Sequence, residues 1–221
     1  MISVRTHILF ALLLLGFSGF FFFPSFAASS QVLLTWEAEN YVPALYPGRH
    51  LVTPGSSVSI SAELLSGGKL QDARQATFTW YVDGDRFLKG VGKKEISFSA
   101  KKGYGNSYSV RVVIQSGENE FEAASQILIS RPELVLAHPY TSGVLRAGGE
   151  ASFRALPYFF SVSSSRDVQV SWSVNDERKA TLGGNETFLL TPGAFRGKFS
   201  VAASAKGGGA TVERRVNLFV P

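Results

Sequence analysis

The run Thr79-Trp80-Tyr81-Val82-Asp83-Gly84-Asp85-Arg86 returns later in the chain as Ser171-Trp172-Ser173-Val174-Asn175-Asp176-Glu177-Arg178. In both copies a tryptophan sits in an alternating segment that ends on a turn signal, Asp-Gly in the first and Asn-Asp in the second. Asp-Gly between alternating runs marks a two-residue hairpin, whose central positions need positive φ. Outward from this core the same order repeats. Ser-Ser-Val-Ser-Ile-Ser-Ala at 56–62 answers Gly-Glu-Ala-Ser-Phe-Arg-Ala at 149–155, Tyr108-Ser109-Val110 answers Phe199-Ser200-Val201, and Ile127-Leu128-Ile129 answers Leu218-Phe219-Val220. The offset drifts only from 93 to 91 residues, so the intervening loops keep nearly constant length. Two units are too few for a solenoid, and each is near the roughly 100 residues of a β-sandwich.

The dominant period is two. Val58, Ile60, Ala62 and Leu64 alternate with Ser57, Ser59, Ser61 and Glu63, and Phe78, Trp80 and Val82 with Thr77, Thr79 and Tyr81. Such alternation gives each strand one buried and one wet face. After residue 30 no stretch carries a helical stripe. The predicted fold is all-β, with two tandem sandwich domains, 28–131 and 132–221. The boundary falls at Arg131-Pro132, where proline restricts the preceding residue. Without a Gly/Ser tract there, the joint is expected to be short and semi-rigid.

The chain has 221 residues, 45% of them apolar and 18% charged, which is the balance of a folded protein rather than a disordered one. Ile8 to Phe23 reads ILFALLLLGFSGFFFF, with Arg5 before it and Pro24-Ser25-Phe26-Ala27-Ala28 after it. A positive start, an apolar stretch and small residues form an export signal, expected as an apolar helix over residues 1–27. Cleavage after Ala27 places Ser25 and Ala27 at the two positions that must be small, so the mature chain is expected to start at Ala28. The alternative is an uncleaved anchor, since residues 8–26 approach the roughly 20 needed to span a bilayer. Membrane contact is expected only through that segment. With no wall-sorting tail and no second span, retention at a surface depends on whether it is cut. The mature part is placed outside the cytoplasm, as a secreted, periplasmic or cell-surface protein. Of the formal charge of +5, one unit is Arg5, leaving a mild +4 on the mature part. There is no cysteine, so packing alone must hold the sandwiches. That absence favours a bacterial exported protein and makes the sequon Asn185-Glu186-Thr187 irrelevant.

Trp80, the turn Asp83-Gly84, Gly103-Tyr104-Gly105 and the alternating Tyr108-Ser109-Val110 together resemble bacterial immunoglobulin-like and PKD-like surface modules. The resemblance covers nearly the whole mature chain at the level of fold. It implies that Trp80 and Trp172 are core residues. In immunoglobulin domains the tryptophan packs on an inter-sheet disulfide, and a tyrosine two residues before its second cysteine anchors a corner. Here Val110 and Val201 hold that cysteine's place and Phe199 lacks the hydroxyl.

Chemistry is sparse. The mature part holds two histidines, His50 and His138, and neither a nucleophile elbow nor zinc-ligand spacing, so no enzyme, metal or cofactor is expected. Asp83-Gly84-Asp85 has the carboxylates of a calcium loop but reads better as the hairpin turn. Lys89, Lys93, Lys94, Lys101 and Lys102 make the first module locally basic; without interleaved aromatics they read as protection of open sheet edges, not as a nucleic-acid groove. Two aromatic groups escape the repeat: Trp36, Tyr41 and Tyr46 before the first core strands, and Tyr158-Phe159-Phe160 after Pro157. Three consecutive aromatics cannot share one strand face, so these six residues are the candidates for packing at the joint or for contact with a protein or glycan partner. The expected role is non-catalytic binding or spacing at the cell surface. Two alternatives are a polysaccharide-binding module and an assembly factor resembling the periplasmic chaperones of pilus biogenesis. For the latter, the edge strand Glu120–Ile129 is expected to be too short and lacks paired Arg and Lys anchors.

Overall fold

The computed structural model describes residues 30–140, 142–146, 148–179, 186–193 and 196–221. The leader expected at 1–27 and the asparagine of the sequon lie outside these residues. The first module contains β1 (Ser30–Glu39), β2 (Ser57–Ser66), β3 (Lys69–Leu70), β4 (Thr77–Val82), β5 (Asp85–Val91), β6 (Glu95–Ser99), β7 (Ser107–Ser116) and β8 (Asn119–Leu128). The second contains β9 (Glu133–Ala137), β10 (Ala151–Tyr158), β11 (Gln169–Val174), β12 (Glu177–Lys179), β13 (Thr187–Leu190), β14 (Gly197–Gly207) and β15 (Ala210–Val220). A single 3-10 turn, Ser165–Asp167, interrupts the strands where the first module has β3.

Each module is two sheets face to face. In the first, β2 lies between β1 and β6, with β3 on its far end, and the facing sheet runs β5-β4-β7-β8. In the second, β13-β10-β9 faces β12-β11-β14-β15. The two patterns correspond strand for strand apart from β3. The alternation decides which side chains fill the gap. Val58, Ile60 and Ala62 from one sheet meet Phe78, Trp80, Val110, Val112 and Ile114 from the other, and these make the first core. Phe153, Ala155, Trp172, Val201 and Ala203 make the second. Both tryptophans are fully buried. Trp80 donates its indole N–H to the Lys93 carbonyl at 2.7 Å, and the ring of Trp172 stacks on Phe188 at 5.2 Å.

The predicted hairpins form, and their turns are held in the same way twice. Asp83 (φ 55) and Gly84 (φ 91) make the first turn, and Asn175 (φ 49) and Asp176 (φ 68) the second. Asp83 Oδ1 accepts the Ser109 amide at 3.1 Å, and Asn175 Oδ1 accepts the Ser200 amide at 2.9 Å. Asp83 is thus engaged as a turn residue, with Lys102 Nζ at 2.7 Å. The tyrosine corner survives in one copy: the Tyr108 hydroxyl accepts the amides of Lys101 and Lys102 at 2.8 and 3.2 Å. Lys94 pairs with Glu63 at 2.6 Å, and Lys89 lies on the outer strand β5, where a charge discourages strand addition. One expectation is corrected: the last strand of the first module is not short. β8 extends over ten residues because every position from Asn119 to Leu128 finds a partner on β7.

Two measurements check this reading. Tyr108→Phe removes an acceptor from two backbone amides and is expected to cost about 1 kcal/mol in urea unfolding. Burial opposes charge on Asp83, but the Lys102 ammonium and Ser109 amide outweigh it and hold the carboxyl below its usual value. A depressed carboxyl contributes stability above its unfolded-state pKa and loses it as pH falls through the folded one. Asp83→Asn, which copies Asn175, is therefore expected to flatten the acid loss of stability below about pH 4. Denaturant midpoints across that range decide it.

Candidate functional site

Five of the six candidate aromatics, all but Trp36, converge where the modules meet. Tyr41, just beyond β1, forms an antiparallel bridge with Phe160, just beyond β10. Its amide donates to the Phe160 carbonyl at 2.8 Å, and the Phe159 amide donates to the Tyr41 carbonyl at 2.7 Å. Two side chains reinforce this bridge reciprocally. The buried Thr53 hydroxyl of the first module donates to the Phe159 carbonyl at 2.8 Å, and the Ser161 hydroxyl of the second donates to the Pro54 carbonyl at 2.8 Å. Each hydroxyl has one proton, and each gives it to the other module. Gly55 of the first module (φ 89) approaches the second closely: an added Cβ would stand 3.4 Å from Ser161 Cβ and 3.9 Å from the carbonyl oxygen of Gly208, at the hairpin tip between β14 and β15.

The three consecutive aromatics are accommodated by a break in the strand. Phe159 has φ 60, which interrupts alternation and lets both Phe159 and Phe160 turn inward. Those two residues are therefore interior and present no ring to a partner. Tyr158 stays half-buried. The ring of Tyr46 meets Tyr158 and Phe159 edge-on at 5.7 and 5.5 Å, across the module boundary. Trp36 packs on the first core from β1, with the Arg49 guanidinium 4.7 Å above its ring. No open aromatic platform results, because the rings are edge-packed or covered.

The segment 41–50 also carries Leu45, which the sequence reading passed over. Leu45 is 98% exposed and has φ 67. Five non-glycine residues among those described have positive φ. Three are the hairpin positions Asp83, Asn175 and Asp176; the other two, Leu45 and Phe159, are at the joint. Local strain of about 1–3 kcal/mol persists only where surrounding structure imposes it, and it clusters at working sites. A signal was available in Pro43-Ala44-Leu45-Tyr46-Pro47, where two prolines flank an apolar tip.

Strand order, two buried tryptophans at matching places and the Tyr108 corner decide the class. Each module is an immunoglobulin-like sandwich. No protein-family model matches the sequence, and no curated protein matches it. Among solved structures, the three N-terminal domains of the bacteriophage RB49 Highly Immunogenic Outer Capsid protein (Hoc) align over 87% of this chain at 12% identity and a TM-score of 0.48. The chain spans 59% of that phage chain. Fibronectin(III)-like modules of Clostridium thermocellum CbhA align over 85% of this chain and 94% of theirs, at 13% identity and a TM-score of 0.32. Tandem Ig repeats of Dlar align over 87% and 99%, at 10% identity and a TM-score of 0.30. Likeness at this level adds nothing to what the strand order gives. Among the described residues, no group of three His, Cys, Asp or Glu side chains is placed to hold a metal ion, and no helix is long and apolar enough to cross a membrane.

The reciprocal hydroxyls connect the immunoglobulin-like modules without entering either core, so their removal separates joint from fold. Thr53→Val with Ser161→Ala leaves two carbonyls without these donors, at about 1–3 kcal/mol for each buried one. Because the chain has no cysteine, spin labels at cysteines replacing the exposed Leu70 and Leu189 report the inter-module distance alone. That distribution is expected to broaden in the double variant while both modules stay folded.

Proposed function

We propose that this chain is a non-catalytic binding and spacer protein, exported from a bacterial cell, that contacts a protein partner through the loop at its module joint. The observation that carries this reading is Leu45, a fully solvated leucine held at positive φ on a loop braced by both modules. An exposed apolar tip on rigid support suits insertion into an apolar pocket of another protein. A glycan-binding role draws less support, since Trp36, Tyr41, Tyr46 and Tyr158 are half-buried, Tyr46 packs edge-on to Tyr158, and Arg49 covers Trp36. A strand-donating assembly role has the ten-residue edge strand β8 in its favour, but that strand carries Glu120 and Glu122 and no Arg or Lys anchor. The hydrogen-bonded joint supports the spacer component, because a braced pair projects its far end at a set angle. The export component rests on Ile8 to Phe23 and the small residues after it. Whether the protein is freely secreted, periplasmic or held at the surface through residues 8–26 belongs to the same proposal.

A photocrosslinking amino acid placed at Leu45, with Leu128 as an exposed control, tests the contact in cells that make the full chain. A protease-sensitive adduct is expected at 45 and not at 128, and Leu45→Asp is expected to abolish capture by a crosslinker placed at the neighbouring Ala44. Equal labelling at both positions, or an adduct removed by glycosidase alone, would overturn the reading. Intact mass and membrane fractionation of the same protein are expected to give a start at Ala28 and a soluble product; an uncut mass in the membrane would replace the free form with an anchored one.

A further inference from the structure

We propose that the open edge of β6 takes an extended segment of another protein, apolar at its centre and acidic at both ends, as an added strand. β6 bonds to β2 through alternate residues. The Lys94 carbonyl accepts the Ala62 amide at 2.9 Å, and the Ala100 amide donates to the Ser56 carbonyl at 2.9 Å, which places residues 94, 96, 98 and 100 on the bonded side. The amides and carbonyls of Glu95, Ser97 and Ser99 therefore point away from β2, and nothing among the described residues bonds to them. Open edges invite strand addition and are ordinarily guarded by lysine, proline or a bulge. β5 has its lysine; β6 (Glu95-Ile96-Ser97-Phe98-Ser99) has none of the three.

The second observation comes from the strand that flanks this edge. β1 and β8 lie together at the opposite side of the sandwich, so the sheet of β1, β2 and β6 leaves β5, at the end of the facing sheet, with no strand across from it. The β4–β5 ladder slips between Trp80 and Tyr81: Trp80 pairs with Leu88 and Tyr81 with Arg86, which leaves Phe87 as the extra residue. A bulge re-aims a side chain. This one brings the Phe87 ring to 6.0 Å from Phe98 of β6, whose own ring is 4.9 Å from Tyr108. Phe87 nevertheless stays 47% exposed. A strand added to β6 runs beside it, and the added side chains opposite Ile96 and Phe98 share their inward face, where Phe87 receives them.

Charge decides the occupant. A second copy would pair β6 with β6 about a two-fold axis, and the antiparallel register that uses every free group sets Ser97 opposite Ser97 and Glu95 opposite Ser99. Lys93 then lies opposite Lys101 at both ends, and like charges directly opposite are destabilising. Both lysines are exposed, and neither has an ion-pair partner among the described residues. The complement carries acids at those two places, apolar residues opposite Ile96 and Phe98, and no acid opposite Glu95. Residues 1–29 hold no acid, so the apolar leader does not supply it. This edge is separate from the loop at Leu45, and the two proposals stand independently.

The probe is the end-capped peptide Glu-Ser-Thr-Val-Ser-Val-Thr-Ser-Glu, titrated into isotope-labelled full-length protein in neutral detergent micelles. Saturable shifts of the Glu95, Ser97 and Ser99 amide signals are expected. N-methylation of the central serine removes a donor aimed at β6 and should abolish them, whereas N-methylation of either valine, whose amide points away, should leave binding in place. At low salt, lysine in place of both glutamates is expected to weaken binding about tenfold, and Phe87→Ala should weaken it severalfold. Ser97→Pro removes an N–H that β2 does not use, so the module should stay folded while binding is lost. A titration that never saturates, or equal binding by the serine-methylated or lysine-ended peptide, overturns the proposal. A dimer of the peptide-free protein in sedimentation that Ser97→Pro dissociates would give the edge to a second copy and overturn the partner segment. Leu45→Asp should leave the titration unchanged, so failure at this edge and failure at the joint loop are read separately.

Discussion

The exchange of two backbone hydrogen bonds between Tyr41 and the Phe159–Phe160 segment is the constraint on which the rest of the joint depends. A backbone bridge has little tolerance in distance or direction, so it fixes where the end of each sandwich stands against the other. Phe159 must then adopt φ 60 to bring its amide and the Phe160 carbonyl onto one line. That backbone turn buries both phenylalanines, which in turn exclude water from Thr53 and its bond to the Phe159 carbonyl. Tyr46 closes the edge over Tyr158 and Phe159. Strain at Phe159 is offset by four inter-module hydrogen bonds and two buried rings, a balance available only while all of them form together.

Strands, hairpin turns and the duplication were legible in the sequence because their causes are local. Period-two alternation places Val58, Ile60, Phe78 and Trp80 inside whatever else the chain does. Asp83-Gly84 demands its turn from two residues alone. The aromatic run 158–160 was legible as a conflict, three rings for a two-sided strand, but its resolution was not. That required a partner segment more than 100 residues away, and nothing in Tyr41-Val42-Pro43 announces Phe160 as its neighbour. Thr53 and Ser161 are harder still, since a hydroxyl that braces a joint looks like any other in a chain rich in serine.

The two copies also show where one fold has been put to different uses. They agree wherever the sandwich requires it, at the tryptophans, the turn oxygens that accept an amide of the neighbouring strand, and the strand order. They part at the corner, where Tyr108 has a hydroxyl and Phe199 does not, and at β3, which the second module replaces with a 3-10 turn. The largest departures are the segment 40–56 of the first module and 157–161 of the second, and these two meet. A duplication of independent beads would leave such ends free to vary without consequence. Here the variable end of one copy is bonded to the variable end of the other, which ties the two sandwiches together at their ends.

Bracing would also favour the proposed binding surface here over one on a free pole. A loop on one module alone loses conformational freedom when it binds, and that loss subtracts from affinity. Segment 41–50 has already lost it, being tied at Tyr41 to one module's neighbour and at Tyr46 to the same neighbour's aromatic rings. Leu45 is thereby held out at positive φ before any proposed partner arrives. The same contacts that join the modules therefore preorganise the surface beside them. A joint that loosened would be expected to weaken the proposed binding as well as the proposed spacing, because one set of bonds would maintain both.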